Sequence, residues 1–524
     1  MPALSTIDLA MFLLESPKRT LNIGPLVLLR PPAGFKGNFA DRLYAKLLKR
    51  PPGAPFNYRL NLSLTSLPSV EPMVRPDISA HVHRLTLDGA STSELLKRVC
   101  ALHETLLDRS GLLWQFYVID GLADGRVALY GKVHHGIIDG KTFVKAITQW
   151  MSDDPNEKDV RAMWDGVPRP GARDEQRAGL VQGLVAAGGQ AVGALRTTAG
   201  LYAMLAEQGL RSAGVGDGLP LPYLKVSSDF DGPLSAKRSY AFCSLPLAEV
   251  KALGKAHGAT VNDLLLTVLD MALQRHLARR GGPTGSPMLA DMPVALSGGA
   301  KGGNQIAVLQ VPLGGAGASP AERLASIRAE TGRVKASLKK RSSGALMLYS
   351  TLVHALPLLI ERVSVKAAPR IANLMISNPF GFEGQQYLMG AAVELALPLS
   401  VLAAGYKLNV TAVTVHDQLQ IGFLAMPGAV PDIDKLARAT ERAFVELKAA
   451  LGSDAPAPQG KASRAPGPVK RAATTKAAVK KAAVKKAPTT GSATARKVAP
   501  SPPQPSIAPR KPPVSRKRTA AKAT

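Results

Sequence analysis

His134-His135-Gly136-Ile137-Ile138-Asp139-Gly140 stands where a strand pattern gives way to a helix pattern. Upstream, Val127, Leu129, Gly131 and Val133 alternate with Arg126, Ala128, Tyr130 and Lys132, which predicts a half-buried strand. Downstream, Phe143, Val144 and Ile147 fall at helical spacing, with Asp139 at the N-cap position. A strand that runs to its end sends His134 and His135 to opposite faces, so the two should not share one task. His135 lies on the Val133 face, and three residues separate it from Asp139. A turn of that length lets the carboxylate fix the imidazole's position while the imidazole reacts. A histidine held this way suits general-base catalysis, because its unperturbed pKa lies near neutrality.

A lone His-x-x-x-Asp also recurs by chance, and most histidines occupy surfaces or satisfied cores. Gly136 to Thr142 reads G-x-x-x-G-K-T, close to a phosphate-binding loop. That loop needs four residues between its glycines, and Asp139 would set a carboxylate against the phosphates. The nucleotide reading fails.

Further segments carry a resemblance. Leu4-Ser5-Thr6-Ile7-Asp8 with Met11-Phe12-Leu13-Leu14-Glu15-Ser16, and Leu107-Asp108-Arg109 followed by Leu113-Trp114, precede the double histidine. Ala259-Thr260-Val261-Asn262-Asp263, Gly303-Asn304-Gln305, Ile376-Ser377-Asn378 and Leu408-Asn409-Val410-Thr411 follow it in order. Over about residues 3–450 the chain resembles the bacterial wax ester synthase/diacylglycerol acyltransferase family, whose HHxxxDG motif matches His134 to Gly140. Two positions depart from the family pattern. Leu113 stands where the family usually has proline, and Pro379-Phe380-Gly381-Phe382 stands where it commonly reads V-P-G-P. The resemblance puts both near the substrate channel, where they bear on acceptor choice.

The resemblance implies an α/β (α+β) chain with the two-domain coenzyme A-dependent acyltransferase (chloramphenicol acetyltransferase-like) fold and a channel between the domains. Acyl-CoA is then a substrate, no cofactor is required, and the acceptor is diacylglycerol or a long-chain alcohol. His135 is the general base, Asp139 orients it, and His134 supports the site. Gly140 permits the tight strand-to-helix turn. Asn262, Asn304 and Asn378 are candidate polar supports, each equally readable as a turn residue or a helix cap. No G-x-S-x-G elbow occurs, in keeping with direct transfer and no acyl-enzyme. Two other classes remain open: a same-fold acyltransferase with a different acceptor, and a non-catalytic lipid-droplet or nucleoid tether. The intact His135 and Asp139 pair argues against the tether.

The length of 524 residues suffices for two core-bearing domains. Cys100 and Cys243 lack CxxC spacing, which fits a reducing cytoplasm. His81-x-His83 lacks a third ligand nearby, so no metal site is expected. Residues 1–165 form the expected N-terminal domain with the motif, 166–225 a helical connection, 226–452 a C-terminal domain, and 453–524 a tail. The connection reads as two helical segments, Ala178 to Leu195 and Leu201 to Leu210. A helix is predicted from Asn262, and a turn at Asp417 and Gln418 between two strands. Gly344 to Ile360 holds no Asp, Glu, Lys or Arg, but His354 and Pro357 interrupt it and it is short for a span, so it reads as a buried core helix, with a lipid-facing helix as the alternative because the substrates of the family it resembles partition into membranes. Peripheral attachment to the inner membrane or lipid droplets is expected.

The net charge of +28 is concentrated at the end of the chain. From Ala455 to Thr524 there are 17 Lys and Arg and no Asp or Glu, leaving 49 basic against 38 acidic residues elsewhere. Rich in Ala, Pro, Ser and Thr and free of aromatics, this tail cannot bury enough apolar surface to order itself. Its repeat Ala477-Ala478-Val479-Lys480-Lys481, Ala482-Ala483-Val484-Lys485-Lys486 advances about 140° per unit on a helix. The lysines would spread around the axis, so nucleic acid or anionic lipid is expected to bind it electrostatically rather than by insertion.

Overall fold

The computed structural model describes residues 6–61, 69–138, 140–167, 180–223, 226, 230–282, 287–296, 306–315, 317–363, 369–378, 381–382 and 384–453. In chain order the elements begin α1 (Thr6–Leu14), β1 (Asn22–Arg30), α2 (Phe39–Leu47), β2 (Tyr58–Asn61), β3 (Ser69–Pro72) and β4 (Val82–Ala90). Next come α3 (Thr92–His103), β5 (Trp114–Leu122), β6 (Val127–His134), α4 (Gly140–Trp150), α5 (Leu180–Ser212), β7 (Ser239–Pro246), α6 (Leu247–Ala256) and α7 (Val261–Ala278). Then follow β8 (Leu289–Ala295), β9 (Ile306–Pro312), α8 (Pro320–Lys340), α9 (Ser343–Val363), β10 (Leu374–Ser377) and β11 (Gly381–Phe382). The last are β12 (Tyr387–Leu388), β13 (Ala391–Leu399), β14 (Leu408–Val415), β15 (Gln418–Ala425) and α10 (Ile433–Ser453). This is a mixed α/β chain.

Two large sheets organise it. The first runs β12-β13-β1-β6-β5-β4 and is antiparallel except for β4 and β5, which are parallel with α3 as their crossover. The second runs β7-β15-β14-β10-β8-β9, with β11 pairing β14. Two strands of the first sheet, β12 and β13, come from the C-terminal half of the chain. The sheet that carries the double histidine is therefore completed by residues some 250 positions downstream.

β6 is the central element, and it differs from its sequence reading in one respect. All eight of its residues are buried, not alternate ones. Val127, Leu129 and Val133 join a core with Val27, Leu29, Trp114 and Ile147. Ala128 and Tyr130 join a second core, with Leu26, Leu28, Tyr240 and Leu397, that extends through the C-terminal half. Period-2 alternation is thus preserved, but each face meets a different core. Lys132 and His134 fall on the Tyr130 face.

Local signals explain the helix starts. Ser91 with Glu94, Thr260 with Asp263, and Ser319 with Glu322 each form a capping box at α3, α7 and α8. The predicted helix from Asn262 is α7, with Leu264, Leu265, Val268, Leu269 and Leu273 all buried. The two helical segments expected in the connection are one continuous helix, α5. The hairpin turn between β14 and β15 falls one residue earlier than predicted, with His416 at φ 54° and Gln418 already paired to Val415. The reading of α9 as a buried core helix holds for one side only: Leu346, Tyr349 and Val353 are buried, whereas Leu352 and Leu356 are exposed. No described helix is long and apolar enough to cross a membrane. The tail, residues 458–524, is a separate unit and lies outside the described residues, as do residues 454–457.

Candidate active site

The site is built on the end of β6. The backbone N–H of His134 donates to Leu113 O at 2.9 Å, and that of His135 to Leu21 O at 2.9 Å. The chain then turns through a single 3-10 turn, His135–Ile137. His134 Nδ1 accepts the Gly136 N–H at 3.0 Å, which closes that turn. Gly136 is required here, because a Cβ would lie 2.7 Å from the Phe12 ring and 3.1 Å from His134 Nδ1.

His134 is sealed. Its ring stacks on Phe12 with centroids 4.2 Å apart and planes 1° from parallel. Its Nε2 faces Glu15 Oε2 at 3.4 Å, a contact longer than an aligned hydrogen bond. Glu15 also accepts from the Leu21 N–H at 3.1 Å and from Arg109 Nη2 at 3.1 Å. Burial works to raise the Glu15 carboxyl, but the contact with His134, then the Leu21 N–H and Arg109, outweigh it and hold the pKa below the ordinary carboxylate value. Arg109 donates in addition to Phe12 O at 2.7 Å. Residues from α1, the segment before β5, and β6 thus converge on one ring.

His135, by contrast, is half-buried at the head of the turn. Asp139 lies outside the described residues, and Gly140 opens α4. Asn304 also lies outside them. Asn262 and Asn378 are brought together: Asn378 Nδ2 donates to Asn262 Oδ1 at 2.9 Å, and both are exposed. Beside Asn378, Ser377 Oγ and Thr411 Oγ1 are 3.0 Å apart, and Thr411 donates to Asn409 Oδ1 at 2.9 Å. Asn409 Nδ2 in turn donates to Val401 O at 3.1 Å. Three separated sequence motifs therefore meet along β10, β14 and the start of α7.

A third group, absent from the sequence reading, ties the two halves together. His103 accepts at Nδ1 from Tyr130 Oη at 2.7 Å and donates from Nε2 to Ser400 O at 3.3 Å. Burial, with the positive charges of Arg238 and Lys132, pushes its pKa down to about 3, so the ring is neutral, as this donor–acceptor arrangement requires. Lys132 Nζ donates to Leu102 O at 2.9 Å, Thr105 O at 2.6 Å and Thr105 Oγ1 at 2.6 Å, and burial lowers its pKa to about 8. Thr20 and Asn22 donate to the same segment, at His103 O and Thr105 O. Glu15 and Arg109 lay within quoted motifs and could have been singled out there as an opposite-charge pair. His103 carried no sequence signal.

His81 and His83 do not converge: His81 Nδ1 is 3.0 Å from Trp114 O, and His83 lies against the Tyr117 ring. Among the described residues no group of three His, Cys, Asp or Glu side chains is placed to hold a metal ion.

Comparison with known proteins bears on what such a site does. Residues 4–265 match the family model described as the wax ester synthase/diacylglycerol acyltransferase catalytic domain, and residues 302–448 match that of its C-terminal domain. A putative diacylglycerol O-acyltransferase of Mycobacterium bovis is 34% identical over 481 residues, covering 87% of this chain and 98% of the relative. The probable diacylglycerol O-acyltransferase Tgs4 of Mycobacterium tuberculosis matches with the same identity and coverage. Among solved structures, the wax ester synthase/diacylglycerol acyltransferase of Marinobacter aquaeolei VT8 superposes with a TM-score of 0.65 at 24% identity, over 86% of this chain and 100% of that one. The first condensation domain of the calcium-dependent antibiotic synthetase shares the fold at a TM-score of 0.52 and 16% identity, over 86% of this chain and 96% of that one.

Proposed function

This chain belongs to the wax ester synthase/diacylglycerol acyltransferase family, and from that premise we propose that it moves a long-chain acyl group from acyl-CoA to the free hydroxyl of diacylglycerol, with a long-chain alcohol as a second acceptor. The observation that carries the assignment of roles is the division of labour at the end of β6. His134 is closed off by Phe12 and Glu15, while its neighbour His135 is half-buried at the head of the turn. His135 takes the acceptor's hydroxyl proton as the oxygen attacks the thioester carbonyl. The carbon–sulfur bond then breaks, and the imidazolium returns the proton to the departing thiolate, giving ester and free coenzyme A. Base assistance of this kind contributes roughly 10²–10⁴-fold. Asp139 orients His135, and Gly140 allows the turn into α4. Asn262 and Asn378, with Asn304, supply the polar support that a tetrahedral oxyanion demands.

The reaction uses acyl-CoA as substrate and no cofactor. Diacylglycerol is placed first because the mycobacterial relatives carry that name. The enzyme works in the cytoplasm, attached peripherally to the inner membrane or to lipid droplets, with the basic tail binding nucleic acid or anionic lipid. Thin-layer chromatography of products tests the reading, with purified protein given palmitoyl-CoA and either diacylglycerol or hexadecanol. Triacylglycerol should form, and its loss in His135→Ala should exceed its loss in His134→Ala. Equal losses would defeat the assignment of His135 as the base, and blank reactions with both acceptors would defeat the substrate reading.

A further inference from the structure

α5 is turned the wrong way round for a helix on a water-facing surface. From Leu195 onward, positions 195, 198, 199, 202, 205, 206, 209 and 210 fall on one side at 100° per residue. Surface helices normally present charged residues outward. Here that side reads Leu, Thr, Ala, Tyr, Leu, Ala, Gly, Leu, and Leu195 is 71% exposed, Tyr202 69% and Leu210 53%. The opposite side carries the buried Met204 and Gln208.

Among the described residues, α5 is held to the fold by its other side. α5 is already held down on α9, where Gly200 and Gly344 allow an approach so close that a Cβ on either would lie 2.8 Å from Ala345 Cβ or 2.6 Å from Thr197 Oγ1. Gln208 Nε2 donates to Tyr349 Oη at 2.7 Å across the same seam. The α9 stripe that meets α5 at Ala345 and Tyr349 runs on uncovered through Leu352 and Leu356, 52% and 45% exposed.

Charge decides what fits. Arg196 is exposed beside the apolar side, and Lys340 stands at its edge. The one acidic residue of α5 in this stretch, Glu207, is engaged by Arg341 at 2.7 Å and Lys340 at 3.8 Å. α9 has no Asp, Glu, Lys or Arg from Ser343 to Ile360, and its His354 is engaged inward by the buried Asp291 at 3.0 Å. A second copy docking here by symmetry would bring Arg196 and Lys340 against their own counterparts, and the one carboxylate of α5, Glu207, is already engaged. An uncharged stripe with a tyrosine and a cationic rim instead matches the boundary of an anionic bilayer, where apolar side chains sink below the headgroups and cations meet phosphate.

We propose that the outward side of α5 between Leu195 and Leu210, continued by Leu352 and Leu356 of α9, is the surface on which the protein lies against an anionic phospholipid membrane. The proposal deepens the reading that the acceptor is a membrane-resident lipid, and binding can be measured without turnover, so the two fail separately.

Full-length protein is co-sedimented with vesicles of phosphatidylglycerol and phosphatidylcholine. The runs use about 0.5 M salt, where a Debye length of only a few ångströms screens the tail. Wild type should remain bound. Tyr202→Glu with Leu205→Glu should weaken partitioning at least about tenfold, since two inserted side chains are replaced by charges. Leu195→Glu, on the next turns of the same side, should weaken it by a smaller factor and serves if the double variant folds poorly. Turnover on a short, water-soluble alcohol should be unchanged in both. Equal binding of variants and wild type would overturn the proposal. So would loss of wild-type binding at high salt, which assigns attachment to the tail, or a wild-type dimer that the substitutions dissolve.

Discussion

Glu15 Oε2 lies 3.4 Å from Nε2 of His134, and neither side chain is more than 1% exposed. The same carboxylate accepts from Leu21 N–H, and Leu21 O in turn holds the backbone N–H of His135. One buried acid on the loop after α1 therefore braces both histidines, although 119 residues separate it from the first of them.

Removing that acid should cost stability and turnover together. Glu15→Ala leaves Arg109, the Leu21 N–H and His134 facing an empty buried position, a change that costs on the order of 3 kcal/mol. Glu15→Gln keeps an acceptor for Leu21 but removes the charge, and should be milder. Because the folded carboxyl is held below its ordinary pKa, its contribution is present above the unfolded value and is lost as pH falls through the folded one. Urea unfolding of wild type and Glu15→Gln should therefore differ most near neutral pH and converge in acid. A gap that widened as pH fell would rule out this role.

His354 gives the opposite dependence. Its Nδ1 is 2.7 Å from Ser350 O and its Nε2 is 3.0 Å from Asp291 Oδ2. Both partners are acceptors, so the ring must carry both protons. Burial works against that charge, but the hydrogen bond and charge of Asp291, with the Ser350 carbonyl, raise the pKa above the ordinary histidine value. Asp291 is itself fixed by Gln310 at 2.7 Å and by the Tyr406 hydroxyl. The stabilisation is complete below the unfolded histidine pKa and disappears as pH rises through the folded one. His354→Gln should thus be destabilised relative to wild type at about pH 6 and much less so at about pH 9. An equal difference at both would show that the ring is neutral.

Local sequence reported what local physics controls. The alternation in Val127 to Val133 predicts β6, and the Thr260 and Asp263 capping box marks the start of α7. What it did not report were relations set by distant parts of the chain. Tyr130 and Lys132 look outward-facing in the pattern, yet their face is covered by a core reaching Leu397. Glu15, Arg109 and His134 are each visible in a motif, but only tertiary packing makes them one cluster. His103 lies in an ordinary amphipathic helix, and nothing near it indicates that it will meet Ser400, 297 residues on.

Asn262 and Asn378 meet in the same long-range fashion, and their bond at 2.9 Å is exposed. An exposed neutral hydrogen bond adds at most about 1 kcal/mol, so Ala at either position should barely move the unfolding midpoint. If the pair supports the reacting group as a unit, each single substitution should lower kcat/KM by roughly tenfold and the double by little more, since residues acting together are non-additive. Double-mutant kinetics with palmitoyl-CoA and diacylglycerol would show this. Fully multiplicative losses would mean that the two asparagines act separately.

The basic tail can be separated from both histidines and from α5 by deletion. Residues 455–524 carry 17 positive and no negative side chains, and the match to the family's C-terminal domain ends at residue 448. A segment beyond the matched region with one sign of charge should add attraction to polyanions without adding to the chemical step. Truncation after Asp454 should leave turnover on a soluble acceptor within about twofold, far below the 10²–10⁴-fold that base catalysis contributes. Binding to duplex DNA should be lost almost entirely in the truncated protein. In the full-length protein it should fall steeply between low and physiological salt, because each neutralised phosphate releases a counterion. Fluorescence anisotropy across a salt series measures both. A truncated protein that still binds DNA, or a full-length protein whose binding is flat in salt, would place the polyanion site within residues 1–454 instead.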